Sequence, residues 1–147
     1  MIADILPPQV AVAEEFGDLP DVRLFPDEEA VIANAVDKRR REFATARACA
    51  RTALAKLGVP AAPIVPGSRG APQWPPGVVG IITHCAGYRA SAVALGRGVV
   101  TIGSARLLVD GPVVNGEMLT GLDGRWLVSN GLLATAIVIL RRGEGAG

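Results

Sequence analysis

Between Pro26 and Gly58 the sequence runs for thirty-one residues without a proline or glycine, and residues 60–77 then hold six prolines and three glycines. No other contrast limits what the chain can fold into as strongly. The first stretch opens with Pro26-Asp27-Glu28-Glu29. Proline suits the first helical position, and acids suit the turn where the helix dipole is positive. Apolar residues recur at Ile32, Val36, Phe43, Ala46, Ala50, Leu54 and Leu57. Spacings of three, four and seven predict one long helix or two consecutive ones, stopped by Gly58 and Pro60. Segment 60–77 cannot hold regular structure and reads as a loop over the surface, pinned by Trp74.

Around this helical block the pattern turns to strands. Residues 8–16 alternate weakly and predict an opening strand. Val78–Cys85, Tyr88–Leu95 and residues 99–102 follow as apolar runs separated by Ala86-Gly87 and Gly96-Arg97-Gly98, which predicts a short antiparallel meander. Residues 105–110, a Gly111-Pro112 turn, residues 125–128 and Leu132–Leu140 complete the β pattern, with Asn130-Gly131 the strongest hairpin signal. Residues 141–147 read as a frayed tail. The fold class is therefore α+β, in a single domain over residues 1–147.

Aromatic residues make up only 4% of the chain, so aliphatic residues and alanine must build its core. A net charge of +1 argues against a general nucleic-acid binder. Cys49 and Cys85 form no CxxC pair; they are expected as reduced thiols, with one disulfide as the other reading. The start has no basic segment of the signal-peptide kind, and Leu132–Leu140 is too short to span a bilayer. The expectation is a cytoplasmic protein without a membrane partner.

Two features can carry chemistry. Lys38-Arg39-Arg40-Arg41 is followed by Arg47 and Arg51. On a helix Arg40, Arg47 and Arg51 fall near one face, and guanidinium groups in a stripe can grip a phosphate with paired N–H donors. The same stripe also reads as an ordinary solvated face. The second feature is His84, the only histidine, within Thr83-His84-Cys85-Ala86-Gly87-Tyr88 at a strand end. A catalytic or metal-binding pair of His84 with Cys85 meets the objection that adjacent strand residues point to opposite faces. A purely structural histidine is the other reading.

Taken together these stretches resemble one family. Phe25-Pro26-Asp27-Glu28-Glu29, Lys38-Arg39-Arg40-Arg41-Glu42-Phe43, Arg47 and Cys49-Ala50-Arg51 are similar to the 4′-phosphopantetheinyl transferases of the enterobactin-synthase component D type. So are Gly58-Val59-Pro60, Gly67 with Arg69-Gly70, Trp74-Pro75, and Gly80 followed by the string around His84. The resemblance runs from about residue 25 to Gly103. It implies a pseudo-two-fold pair of α/β halves that moves phosphopantetheine from coenzyme A to a serine of an acyl or peptidyl carrier protein, with magnesium. Siderophore, polyketide and fatty-acid assembly are the settings it suggests. Arg39 and Arg47 match arginines on the phosphates of coenzyme A, and His84 matches the histidine on the ribose 3′-phosphate. Arg69, with Pro66, stands where relatives often carry a lysine near the nucleotide. Ile81 replaces a usual serine, which implies a lost hydroxyl near the phosphates.

After Gly103 the family continues with a hydrophobic-Asp-Ala-Glu-Pro motif and, farther on, a Trp-x-x-Lys-Glu-Ala helix, which supply the magnesium ligands and the base. Here Gly103 is followed directly by Ser104-Ala105-Arg106-Leu107, which resembles the family's C-terminal hairpin. The resemblance thus implies an internal deletion of about seventy residues, a sizeable part of a typical domain. Residues 1–103 then form the coenzyme A-binding half, and residues 104–147 the remnant of a second half reduced to β-hairpins. Asp110, Glu117, Asp123 and Lys56 do not replace the lost groups, because none has the Asp-x-Glu spacing that puts two carboxylates on one side of a strand. Negligible transfer by this chain is expected, with a non-catalytic coenzyme A or nucleotide-phosphate binder as the alternative. Sheet surface left uncovered by the lost helix would favour self-association.

Overall fold

The computed structural model describes residues 2–6, 8–96, 98–106, 124–129 and 132–140. Strand β1 (Ala11–Phe16) precedes two consecutive helices, α1 (Pro26–Val31) and α2 (Asp37–Lys56). The uninterrupted stretch thus divides in two. Leu57 closes α2, and Gly58 follows at φ 73°, the left-handed region where a side chain would be strained. Gly58 N–H then donates to the Ala55 carbonyl and Val59 N–H to the Leu54 carbonyl, a Schellman closure.

Strands β2 (Val78–Cys85) and β3 (Tyr88–Leu95) pair antiparallel, and β1 adds to the other side of β3, giving the order β1-β3-β2. A second antiparallel sheet has the order β4-β6-β5, from β4 (Gly98–Arg106), β5 (Gly124–Ser129) and β6 (Leu132–Leu140). The expected three-strand meander is therefore corrected. β2 and β3 form the predicted ladder, but β4 pairs with β6 instead of β3. Its partner is set by a strand that begins only at Leu132, which local turn chemistry cannot foresee. β4 also runs straight through Gly103 and Ser104, so the two sheets divide the chain between β3 and β4. The Asn130-Gly131 turn, the Gly111-Pro112 turn, Asp110, Glu117, Asp123 and the tail lie outside the described residues.

Helix α2 lies on one face of the first sheet, where Ala50, Ala53, Leu54, Ile64, Val78 and Val93 are buried together. The alanines let the helix approach closely, and full burial of Leu54 contributes about 1.5–3 kcal/mol. The opposite face is closed by Ile2, Leu6, Val10 and Val12 against Tyr88, Ala90, Ala92 and Ala94. Strand alternation divides β2 between these faces. Val78 and Ile82 turn toward α2, while Val79, Ile81 and Cys85 pack on the far cluster. The aliphatic, alanine-rich core expected from composition is what fills both clusters.

Candidate functional site

Three elements converge where the first turns of α2 meet the ends of β2 and β3. Steps of four along α2 place Arg39, Phe43 and Arg47 on one side of the helix. His84, near the end of β2, is on the helix-covered side of the sheet and lies opposite Arg89 of β3. The proline-rich loop supplies the third wall through Ile64, its fully buried residue.

Arg47 is the most constrained of these groups. Only 6% of it is exposed. Its Nε donates to the Ile64 carbonyl at 2.6 Å, and its guanidinium lies over the Phe43 ring at 4.0 Å from the centroid. It forms no ion pair with any described residue. Burial pushes its proton affinity down to about 10, with Glu28 opposing and Arg39 and Arg51 adding, so it stays charged at neutral pH. A buried cation without a carboxylate partner, held by a carbonyl at one edge, is a ready anion site.

Arg39 is exposed, and its charge reaches both Arg47 and His84. His84 is exposed at the surface, yet partial desolvation, then Arg39, holds it below the ordinary imidazole value, with Glu42 opposing and Arg89 adding. Of the residues singled out by the family resemblance, Arg39 thus couples separately to Arg47 and to His84. The backbone of Arg69 lies in the 3₁₀ turn Ser68–Gly70, closed by a Gly67 N–H bond to the Ala71 carbonyl at 2.7 Å. Its side chain is outside the described residues.

Two expectations are corrected. Arg40, Arg47 and Arg51 do not form a common phosphate-facing stripe. Arg40 donates to the Ile32 carbonyl at 2.7 Å, capping α1, and pairs with Glu29 at 3.0 Å. Arg51 pairs with the fully buried Glu28 at 2.9 Å and donates to the Arg23 carbonyl. The acids of α1 fold over that side of α2 and occupy both arginines. Ile81, for its part, packs on the cluster away from α2, on the opposite side of the sheet from His84. The missing hydroxyl therefore bears on core packing rather than on the side that carries His84.

Sequence reasoning missed the groups that hold the site in place. Arg89 is 3% exposed and bonded to Asp18 at 2.8 Å, to Glu42 at 3.4 Å and to the Cys85 carbonyl. Glu28 was legible only as a helix-start acid. The expected pinning by Trp74 is present, since its Nε1 donates to the Gly80 carbonyl at 2.9 Å. Cys49 and Cys85 are both free. A separate groove of about 300 Å³, between Val12, Leu19, Cys49 and Lys56, includes none of the site residues.

The described residues do not fit magnesium. Glu42 is the carboxylate whose charge His84 feels, and the Arg89 guanidinium already engages it. Among the described residues no group of three or more His, Cys, Asp or Glu could hold a metal. A hard cation needs several oxygen ligands. No described helix is long and apolar enough to cross a membrane.

Residues 27–94 match the family model described as the 4′-phosphopantetheinyl transferase N-terminal domain. The chain is 34% identical to the 4′-phosphopantetheinyl transferase Svp of Streptomyces mobaraensis over 219 aligned positions, covering 95% of this chain and 89% of that protein. It is 48% identical to PptT of Mycobacterium tuberculosis over 70% of this chain and 47% of the relative. It is 56% identical to Npt of Nocardia iowensis over 64% of this chain and 42% of the relative. The chain thus matches less than half the length of the Mycobacterium and Nocardia relatives. With 147 residues set against 219 aligned positions of the Streptomyces protein, at least 72 positions have no counterpart here.

Proposed function

Because this chain belongs to the 4′-phosphopantetheinyl transferase family, we propose that residues 1–103 are the coenzyme A-gripping side of such an enzyme and residues 104–147 what remains of its second half. In the family reaction a carrier-protein serine oxygen bonds to phosphorus and the pyrophosphate bond breaks. Phosphopantetheine stays on the serine, adenosine 3′,5′-bisphosphate leaves, and the serine proton goes to a base. The observation that carries the reading is Arg47, a buried cation without an ion-pair partner among the described residues, coupled to Arg39, which also acts on His84. Arg39 and Arg47 hold the phosphates of coenzyme A, His84 takes the ribose 3′-phosphate, and Arg69 lies near the nucleotide.

On this reading the chain by itself transfers negligibly. The Asp-Ala-Glu and Lys-Glu-Ala motifs are missing from the sequence, so the leaving group loses charge neutralisation and the serine loses its base. The positions without counterpart in the Streptomyces alignment support an internal loss of that size. The same observation favours a second reading, a non-catalytic binder of coenzyme A or a nucleotide phosphate. The carrier protein is then the family's partner rather than a substrate of this chain.

Calorimetric titration with coenzyme A tests binding. Heat of association with the wild-type chain, lost in Arg47→Ala, is the expected result; no heat at millimolar ligand overturns it. Incubation with coenzyme A, magnesium and an apo carrier protein, read by mass, tests transfer. A gain of phosphopantetheine would overturn the claim of inactivity.

A further inference from the structure

Arg47 owes its orientation to a residue on another helix. Glu28 of α1 is fully buried, and its carboxylate joins α1 to α2 through Arg51 and to the loop through Ile64, while its bond from Phe25 closes the N-terminus of α1 itself. Oε1 accepts from Arg51 at 3.1 Å and from the Ile64 N–H at 2.9 Å. Oε2 accepts from Arg51 at 2.9 Å and from the Phe25 N–H at 3.0 Å. A carboxylate buried this deeply persists only when paired and hydrogen-bonded, and here both conditions are met.

Ile64 is the junction. Its N–H is held by Glu28, and its carbonyl accepts from Arg47 Nε at 2.6 Å. The residue is gripped from α1 on one side and from α2 on the other, while its side chain is buried in the core. Ile64 is also the buried anchor of the loop that leads to Gly67 and Arg69. The carbonyl that fixes the edge of the Arg47 guanidinium is therefore itself fixed by Glu28. The Glu28 charge further opposes the mutual repulsion of Arg39, Arg47 and Arg51.

Given the coenzyme A reading above, we propose that Glu28 is a positioning residue for phosphate binding, acting through the Ile64 peptide on Arg47. It touches no substrate. With Ile64 released, the Arg47 fork loses the carbonyl that aims it, and an imprecisely aimed guanidinium forfeits paired N–H donation to a phosphate. A merely structural Glu28 would weaken binding without regard to Arg47.

The test uses the intact chain and adenosine 3′,5′-bisphosphate, titrated by calorimetry at fixed ionic strength and well below the melting temperature of each variant. Glu28→Gln is expected to weaken binding about tenfold in the wild-type and Arg39→Ala backgrounds, but less than about twofold with Arg47→Lys, because a lysine cannot keep the Ile64 contact and the fork together. Equal loss in all three backgrounds, or no loss where Arg47 is present, overturns the role. No binding by the wild-type chain overturns the coenzyme A reading itself, and this role with it. If Glu28→Gln does not fold, the wild-type chain supplies the second measurement. Saturation with the bisphosphate should slow exchange of the Ile64 amide, because ligand and clamp stabilise one another. Exchange that stays unchanged while ligand binds overturns the role.

Discussion

His84 stands directly opposite Arg89 in the β2–β3 ladder, so the single imidazole of the chain shares its side of the sheet with a buried cation. Arg89 is in turn shared between Asp18 and Glu42, on the approach to α1 and on α2. The strand end, the helix and the loop after β1 are thereby fixed by one guanidinium.

The electrostatics of His84 give a pH dependence. Partial desolvation first, then Arg39, with Arg89 adding and Glu42 opposing, keep the midpoint of this exposed imidazole below 6.5. In an NMR titration Arg39→Ala should raise that midpoint and Glu42→Gln lower it further. The unfolded chain takes up this proton at higher pH than the folded one. The stability contributed by neutral His84 is thus full above 6.5, and it is lost as pH falls through the folded midpoint. Binding of adenosine 3′,5′-bisphosphate should tighten over the same window, since a protonated imidazole favours phosphate. A flat profile there contradicts His84 as a phosphate contact.

Arg51→Met leaves Glu28 buried without its ion partner, although the two backbone N–H donors remain. A cost of about 3–5 kcal/mol is expected from breaking such a pair on one side. Urea denaturation measures it, and a loss below about 1 kcal/mol would show that the pair is not buried as described.

Gly80→Ala should be poorly tolerated. A methyl group there would lie 2.7 Å from Val93 Cγ1, 2.8 Å from the Ala92 carbonyl oxygen and 3.1 Å from the Trp74 ring. Backbone cannot retreat as a side chain can, so overpacking of about 1–3 kcal/mol is expected. Trp74 should be displaced with it, because its Nε1 bonds to the Gly80 carbonyl. Thermal melting and the Trp fluorescence of the variant report the two effects separately.

The thiols should differ in reactivity. Cys49 is buried, and that burial pushes it up to about 11, whereas Cys85 is half-buried at the end of β2. Iodoacetamide at about pH 8 should label Cys85 first and reach Cys49 only in denaturant, since the thiolate is the reacting form. Mass spectrometry of timed samples settles the order, and equal rates in the native chain would contradict the burial of Cys49.

Much of this architecture was legible in the residues themselves. The bounds of β2, β3 and β6 follow from apolar runs and the turns between them, and the end of α2 follows from Gly58 and Pro60. These signals are local, because a turn or a helix stop is decided by the φ and ψ preferences of a few neighbours. The sequence could not tell which arginines remain available for an anion. Arg40, Arg47 and Arg51 share a helix side by spacing, yet Glu29 and Glu28 claim two of them while the Ile64 carbonyl aims the third. Nor could it show that β4 would pair with β6, or that Ile81 would face away from α2. Those outcomes depend on which distant segment folds over a given surface, and only the tertiary structure decides that.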